Sequence, residues 1–220
     1  MSEINIERKI LSANERYALN NRRVFSEKGV YCLNLISSPG SGKTTTLVRT
    51  ITELGDRLRT GVIEGDIKTD IDAKRIRETK APAIQIETEG ACHLSAAQVG
   101  ETMKELPLDE LDVVFIENVG NLVCPGAFDL GEDGKVVVLS VVEGDDKPVK
   151  YPGIFAKAAV LLINKIDFLS VAGFDMERVE KDVRSLNKYI RIFPISAKTG
   201  EGIAAWCDWL VEQAKQKRGS

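Results

Sequence analysis

The chain has 220 residues, enough to bury one hydrophobic core, and its 43% hydrophobic and 29% charged residues are typical of a globular domain. A net charge of −3 gives no electrostatic reason to expect nucleic acid or an anionic membrane as a partner. With no apolar segment of membrane-spanning length, we expect a cytoplasmic protein with neither partner.

The first predicted element is an amphipathic helix from Ile4 to about Glu27. We expect residues 1–28 to form a helical extension ahead of a core domain of residues 29–220. The basic pair Arg22-Arg23 is most simply a solvated face of this helix.

Short apolar runs then alternate with longer amphipathic stretches. This alternation predicts an α/β fold with three layers, in which helices cover a mostly parallel, seven-stranded sheet. The predicted strands are Val30–Ile36, 61–63, 83–86, 113–116, 136–142, 159–163 and 190–195. The predicted helices are 44–58, 72–79, 94–106, 175–186 and 204–217. Ligands of such a sheet bind beyond the carboxyl ends of the strands.

The first strand leads into a glycine-rich phosphate-binding loop, Ser37-Ser38-Pro39-Gly40-Ser41-Gly42-Lys43-Thr44. Its backbone N–H groups and the following helix N-terminus suit a phosphate chain, and the motif is that of P-loop NTPases. Lys43 would reach the outer phosphates and Thr44 would ligate Mg²⁺. The expected phosphate-binding residues are Gly40, Ser41, Gly42, Lys43, Thr44 and Thr45. Ser37 stands where the motif usually has glycine, so the start of the loop departs from the pattern.

An acidic residue must complete the Mg²⁺ shell, and three candidates follow strands. Glu117 ends the fourth strand, with Gly120 three residues on, as expected for a segment that senses the γ-phosphate. Asp66 closely follows the second strand, whereas Asp72 serves equally well as a helix N-cap. We therefore expect Lys43, Asp66 and Glu117 to carry catalysis, with Thr44, Asp66, Asp72 and Glu117 as the Mg²⁺ candidates.

Asn164-Lys165-Ile166-Asp167 leaves the sixth strand and predicts the nucleotide base. An ionised Asp accepts hydrogen bonds only, and guanine offers it a ring N–H beside an amine, whereas adenine does not. A second loop, which contains Ser196, Ala197 and Lys198, leaves the last strand and resembles the loop with which GTP-binding proteins hold guanine O6. The predicted cofactor is therefore GTP, bound with Mg²⁺, and residues 29–220 form a GTP-binding domain.

Three residues suggest a second metal site: Cys92, Cys124 and His93, which is the only histidine of the chain. Thiolate and imidazole ligands suit Ni²⁺ or Zn²⁺ better than Mg²⁺, and metal capture releases protons, so affinity rises with pH. From spacing alone, packing of both cysteines as small hydrophobic residues is the simpler interpretation. Core packing is also the interpretation for Cys32 and Cys207.

With these motifs, the chain resembles the HypB family of hydrogenase nickel-incorporation GTPases, within the SIMIBI class of dimerising P-loop NTPases. The resemblance covers about Asn34 to Trp209. It is carried by the phosphate loop, Glu64-Gly65-Asp66, Gly90 to Leu94, Glu117 to Pro125 and Glu143 to Pro148. Related urease accessory GTPases have Cys-Pro-His, whereas this chain has Cys92-His93.

The resemblance implies a GTP-dependent homodimer, slow GTP hydrolysis and delivery of nickel to a hydrogenase large-subunit precursor, with a HypA-type zinc protein as partner. It favours the metal interpretation, in which two protomers join their Cys92, His93 and Cys124 sets. Because Cys124 follows the γ-phosphate-sensing segment, nucleotide state would move it. Met1 to Lys28 contains neither Cys nor His, so no tight N-terminal nickel site is expected. The alternatives are a small GTPase without metal transfer and a nucleotide-gated scaffold.

Overall fold

The computed structural model describes residues 3–66, 71–88 and 90–219, with side chains of 3–12, 66 and 71–73 outside the description. Within these residues, seven strands form one sheet in the order β3-β2-β4-β1-β5-β6-β7. All neighbouring strands are parallel. The strands are β1 Tyr31–Ser37, β2 Thr60–Asp66, β3 Ala83–Glu87, β4 Val113–Glu117, β5 Gly134–Ser140, β6 Ala158–Asn164 and β7 Arg191–Pro194. The predicted fold class is confirmed.

Helices cover both faces of the sheet. Their bounds are α1 Glu3–Glu27, α2 Lys43–Leu54, α3 Ile71–Arg77, α4 Ala96–Thr102, α5 Cys124–Ala127, α6 Lys147–Lys150, α7 Pro152–Lys157, α8 Leu169–Ala172, α9 Met176–Leu186 and α10 Ile203–Arg218. Helices α2, α3 and α10 contribute to the core on one face, whereas α1, α4, α7 and α9 contribute on the other. In the described part of the chain, none of the helices is long and apolar enough to cross a membrane.

The central strand β1 is buried on both faces, which explains its nearly continuous apolar sequence. Leu33 and Leu35 pack beneath α2 and α10, whereas Cys32 and Ile36 enter the core on the opposite face. Successive side chains of a strand point to opposite faces, so both sets must be apolar. Asn34 and Ser37 are the exceptions, because both are polar and buried.

The observed boundaries differ from the sequence predictions where caps decide them. The helix predicted over 94–106 begins at Ala96, because Ser95 caps it with a complete capping box. The helix predicted over 44–58 ends at Leu54, because Gly55 leaves the helical conformation with φ 50°. Short helices α5 to α8 were not predicted, since four to six residues are too few to show a helical period.

The long helix α1 contributes side chains to the core rather than only a polar surface. Ala18 and Phe25 are fully buried, and Asn21 donates hydrogen bonds to the carbonyl oxygens of Ala96 (2.7 Å) and Leu130 (3.0 Å). Arg22, expected on a solvated face, instead forms an ion pair of 2.8 Å with Asp129.

Replacing Phe25 by alanine is expected to lower the free energy of unfolding by about 3–5 kcal/mol, because the ring is fully buried in the core and its removal leaves a cavity. The measurement is urea unfolding followed by circular dichroism. Tyr17→Ala, on the same helix but 53% exposed, should change stability by less than about 0.5 kcal/mol. Equal effects of the two substitutions would mean that α1 does not belong to the folded core.

Candidate functional site

The phosphate-binding loop leaves β1 and enters α2, as predicted. Gly40 and Gly42 have positive φ angles of 79° and 90°, which favour glycine, whereas Ser37 is a buried strand residue. Serine is therefore compatible with the first position, and its hydroxyl donates to the Ser38 carbonyl oxygen at 2.9 Å. The loop, with the Lys43 side chain, borders a cleft of about 370 Å³.

Glu117 joins the end of β4 to the start of α2. Its Oε1 atom accepts hydrogen bonds from the Thr44 hydroxyl (2.6 Å) and from Lys43 Nζ (3.1 Å). The residue is only 1% exposed, and Oε2 makes no hydrogen bond within the described part of the chain. A carboxylate and a hydroxyl at this distance, with one oxygen unsatisfied, form a donor set that fits a hard divalent cation such as Mg²⁺.

Two of the predicted Mg²⁺ ligands have side chains that the structure does not describe. Asp66 is the last residue of β2, and Asp72 lies in the first turn of α3. Their roles stay predictions. Of the predicted acidic candidates, only Glu117 has a described side chain.

The predicted base-binding segments meet each other and the phosphate loop. Asn164 donates to the Ser41 carbonyl oxygen at 2.9 Å and accepts from the Ala197 amide at 3.1 Å. Lys165 Nζ donates to the Gly40 carbonyl oxygen at 2.8 Å. One asparagine thus ties both loops together, as a pocket spanning phosphate and base requires.

The carboxylate of Asp167 is held beside this junction. Its Oδ1 atom accepts a hydrogen bond of 2.7 Å from the Ser196 hydroxyl. Lys165, two residues earlier, has a φ of 62°, a left-handed conformation that is uncommon for a residue other than glycine. Lys198 lies over the Phe168 ring at 5.7 Å. Asp167 is half-buried, so it keeps an accessible edge for a ligand.

Cys92, His93 and Cys124 come together although the two cysteines are 32 positions apart in the sequence. Their potential ligand atoms all lie within 4.8 Å of one another, and Cys92 Sγ is 3.4 Å from His93 Nδ1. A hydrogen bond with Cys124 and partial burial raise the pKa of Cys92, whereas burial lowers the pKa of His93. The imidazole is therefore favoured in its neutral, metal-binding form. Cys32 and Cys207 are buried in the core, as expected.

Cys124, one of the three candidate metal ligands, is close along the chain to Glu117. Cys124 begins α5, seven residues after the end of β4 at Glu117. Gly120 lies on the connecting segment and packs against the phosphate loop, because an added Cβ would lie 3.3 Å from the backbone of Pro39. A bulkier arrangement of ligands at the phosphate loop would therefore displace this segment.

Arg75 is a site residue that the sequence interpretation missed. It borders the phosphate cleft, and its Nη2 atom donates to the Thr45 hydroxyl at 3.1 Å. An arginine at this place adds positive charge beside Lys43. In sequence it is one of several basic residues on a short charged helix, so no local signal distinguished it.

Comparison with known proteins gives a consistent result. Residues 32–194 match the family described as "CobW/HypB/UreG, nucleotide-binding domain". The chain is 51% identical to the hydrogenase maturation factor HypB of Rhizobium leguminosarum bv. viciae over 214 residues, which cover 97% of this chain and 72% of that protein.

Solved structures show the same similarity. A structure described as HypB from Helicobacter pylori in complex with nickel has a TM-score of 0.88 and 37% identity, over 94% of this chain and 97% of that one. The hydrogenase maturation factor HypB from Archaeoglobus fulgidus has a TM-score of 0.86 and 37% identity, over 93% and 100% of the two chains.

Gly42→Ala is expected to lower the free energy of unfolding by about 1–3 kcal/mol and to weaken nucleotide binding more than about tenfold, through left-handed strain and steric overlap. The added Cβ would lie 2.7 Å from Asn164 Nδ2. Thermal unfolding and nucleotide titration measure both effects. Gly153→Ala in α7, where a Cβ meets no atom within 4 Å, is the control and should leave both unchanged or raise stability. Normal binding by Gly42→Ala would contradict the close approach of loop and Asn164.

Proposed function

The chain belongs to the HypB family of hydrogenase maturation factors, which are P-loop GTPases, and from this premise we propose that it is a GTP-hydrolysing metallochaperone that dimerises with GTP and delivers nickel to a hydrogenase precursor. The observation that carries the proposal is the proximity of two different donor sets. Thr44 and Glu117 offer hard oxygen ligands, whereas Cys92, His93 and Cys124 offer sulfur and nitrogen ligands, with Cys124 only seven residues after Glu117.

In the proposed nucleotide site, the amides of Gly40 to Lys43 and the Lys43 ammonium bind the phosphates, and the Thr44 hydroxyl and Glu117 carboxylate bind Mg²⁺. Thr45 lies at the same helix start and accepts from Arg75. The cation supplies charge neutralisation for the transferred phosphoryl group. Hydrolysis is an in-line attack by water, promoted by positioning and by the positive charge of Lys43. Asp66 and Asp72 remain candidates for the cation shell.

Guanine specificity is assigned to Asp167, supported by its acceptor-only carboxylate at the junction of the two base-binding loops. Asn164 and Lys165 hold that junction against the phosphate loop. Ser196 orients the Asp167 carboxylate, and the backbone of Ala197 and Lys198 lines the other side of the pocket.

The metal cargo, Ni²⁺ or Zn²⁺, is assigned to Cys92, His93 and Cys124. Three ligands leave a four-coordinate ion incomplete, so two protomers joined as a homodimer complete the shell. The nickel complex of the Helicobacter pylori relative supports nickel as cargo. A HypA-type zinc protein is the proposed partner for transfer to the hydrogenase large-subunit precursor.

Triphosphate binding would change the ligand set through the short segment between Glu117 and Cys124. Lys43 and Thr44 must exchange their bonds with Glu117 for bonds to phosphate and cation. The segment that leaves Glu117 then takes a nucleotide-dependent position, and Cys124 moves with it.

Asp167→Asn is expected to weaken GTP binding about 10- to 100-fold, because the amide repels one of the two guanine donors and loses a charge-assisted bond. Xanthosine triphosphate should bind the variant better than GTP does. Competition titrations of the two nucleotides measure the preference. The control Asp182→Asn, on the surface of α9, should keep the guanine preference. Retained guanine preference in Asp167→Asn would place the base pocket elsewhere.

Cys92→Ala should weaken Zn²⁺ and Ni²⁺ binding at least about 100-fold, because it removes one of three ligands. Competition with a chromophoric chelator measures the affinity. Cys207→Ala, which removes a buried thiol on α10, is the matched control and should bind metal normally. Unchanged metal binding in Cys92→Ala would favour a GTPase that does not handle transition metals.

A further inference from the structure

Asn118 is a buried amide that lies between the phosphate site and the metal-ligand cluster. It directly follows Glu117 and is only 1% exposed. Its Oδ1 atom accepts hydrogen bonds from the amides of Leu94 (3.1 Å) and Val119 (3.0 Å), and its Nδ2 atom donates to Asn34 Oδ1 (3.1 Å). Because both ends of the amide are paired in a buried site, the side chain has one favourable orientation.

The hydrogen bonds that Asn118 Oδ1 accepts, here called the Oδ1 branch, fix the backbone beside His93. Leu94 is the next residue along the chain and is fully buried, packed so closely on β2 that a Cβ at Gly65 would lie 2.9 Å from its side chain. A leucine held in this way cannot shift independently of its amide. A displacement of Asn118 therefore moves the peptide that carries the histidine.

The Nδ2 branch, which begins with the hydrogen bond from Asn118 Nδ2 to Asn34, leads to His93 by a separate route. Asn34 donates to Glu132 Oε1 at 3.3 Å, and Glu132 pairs with Lys135. Lys135 Nζ donates to the Phe128 carbonyl oxygen at 2.7 Å. The Phe128 ring stacks on the His93 imidazole, with centroids 3.8 Å apart and an interplanar angle of 28°. Both branches from Asn118 thus end at His93.

We propose that Asn118 is the positioning residue that couples occupancy of the phosphate site to the placement of the His93 imidazole. The proposal rests on the proposed function, which requires that nucleotide state change metal affinity, and it names His93, besides Cys124, as a ligand that moves. Glu117 loses its bonds to Lys43 and Thr44 when these bind phosphate and cation, and the adjacent Asn118 responds through its peptide. The hydrogen bonds then carry that response to the cluster.

The test compares Zn²⁺ affinity in the presence of GDP with that in the presence of a non-hydrolysable GTP analogue, each with Mg²⁺. We expect the wild-type ratio of the two affinities to differ from one by at least about fivefold. In Asn118→Ala the ratio should fall to within about twofold of one, since both branches are cut. Asn118→Asp, which keeps the acceptor and loses the donor to Asn34, should retain part of the ratio.

Asn14→Ala is the matched control. Asn14 is also a buried amide, and it bonds the same two regions, accepting from the Ala96 amide at 2.8 Å and donating to the Asp129 carbonyl oxygen at 2.7 Å. It lies on α1, and within the described part of the chain it makes no hydrogen bond to Glu117 or to the residues next to Glu117. A purely structural effect of losing a buried asparagine would appear in both variants, whereas the coupling effect should appear only at Asn118.

The proposal would be overturned if the Asn118→Ala variant binds the GTP analogue and keeps the wild-type affinity ratio. The proposed function would then stay intact. A wild-type ratio of one would overturn both, because no coupling would exist to transmit.

Amide hydrogen exchange of the wild-type protein provides a test without substitutions. Protection of the Leu94 and Val119 amides should change at least about tenfold between the two nucleotides, while that of Ala96 stays constant. Constant protection at Leu94 would contradict the proposal.

Discussion

Oε1 of Glu117, a single buried oxygen, holds both the ammonium of Lys43 and the hydroxyl of Thr44. The parallel pairing of β1 with β4 sets Leu35 opposite Glu117, two residues before β1 ends in the loop. A carboxylate buried in this place is tolerated because it has a cation and a donor as partners. The same pairing places the carboxylate at the lining of the phosphate cleft.

The parallel sheet explains why the sites lie so close together. Since all strands are parallel, their carboxyl ends meet at one edge, where β1, β4 and β6 deliver the phosphate loop, Glu117 and the base-binding segment. Asn164 closes the arrangement by bonding the phosphate loop on one side and the last loop on the other. Nucleotide binding is thus distributed over elements whose relative positions the sheet fixes.

The Cys92, His93 and Cys124 cluster depends on less rigid structure. Its residues lie on a turn before α4 and at the start of the four-residue helix α5. Such short elements derive their stability from their surroundings, and here from the buried amides of Asn118 and Asn34 and from the Phe128 ring. The proposed coupling to Glu117 would act on these short elements, whereas the predicted base-binding segments directly follow the ends of β6 and β7.

The sequence by itself determined the fold class and the phosphate loop, because the first is a periodic pattern and the second a contiguous motif. It also predicted the base-binding segment, and the family resemblance favoured Cys92, His93 and Cys124 as metal ligands. It did not determine the ends of the helices at Leu54 and Ala96, nor the place of Arg75 beside the phosphate cleft. Only the tertiary structure decided that Asn34, Asn118 and Glu132 form one buried chain of hydrogen bonds toward Phe128 and His93. The physical reason is that strand order and packing bring together residues far apart in sequence, and a polar residue within an apolar run carries no local mark of its partner.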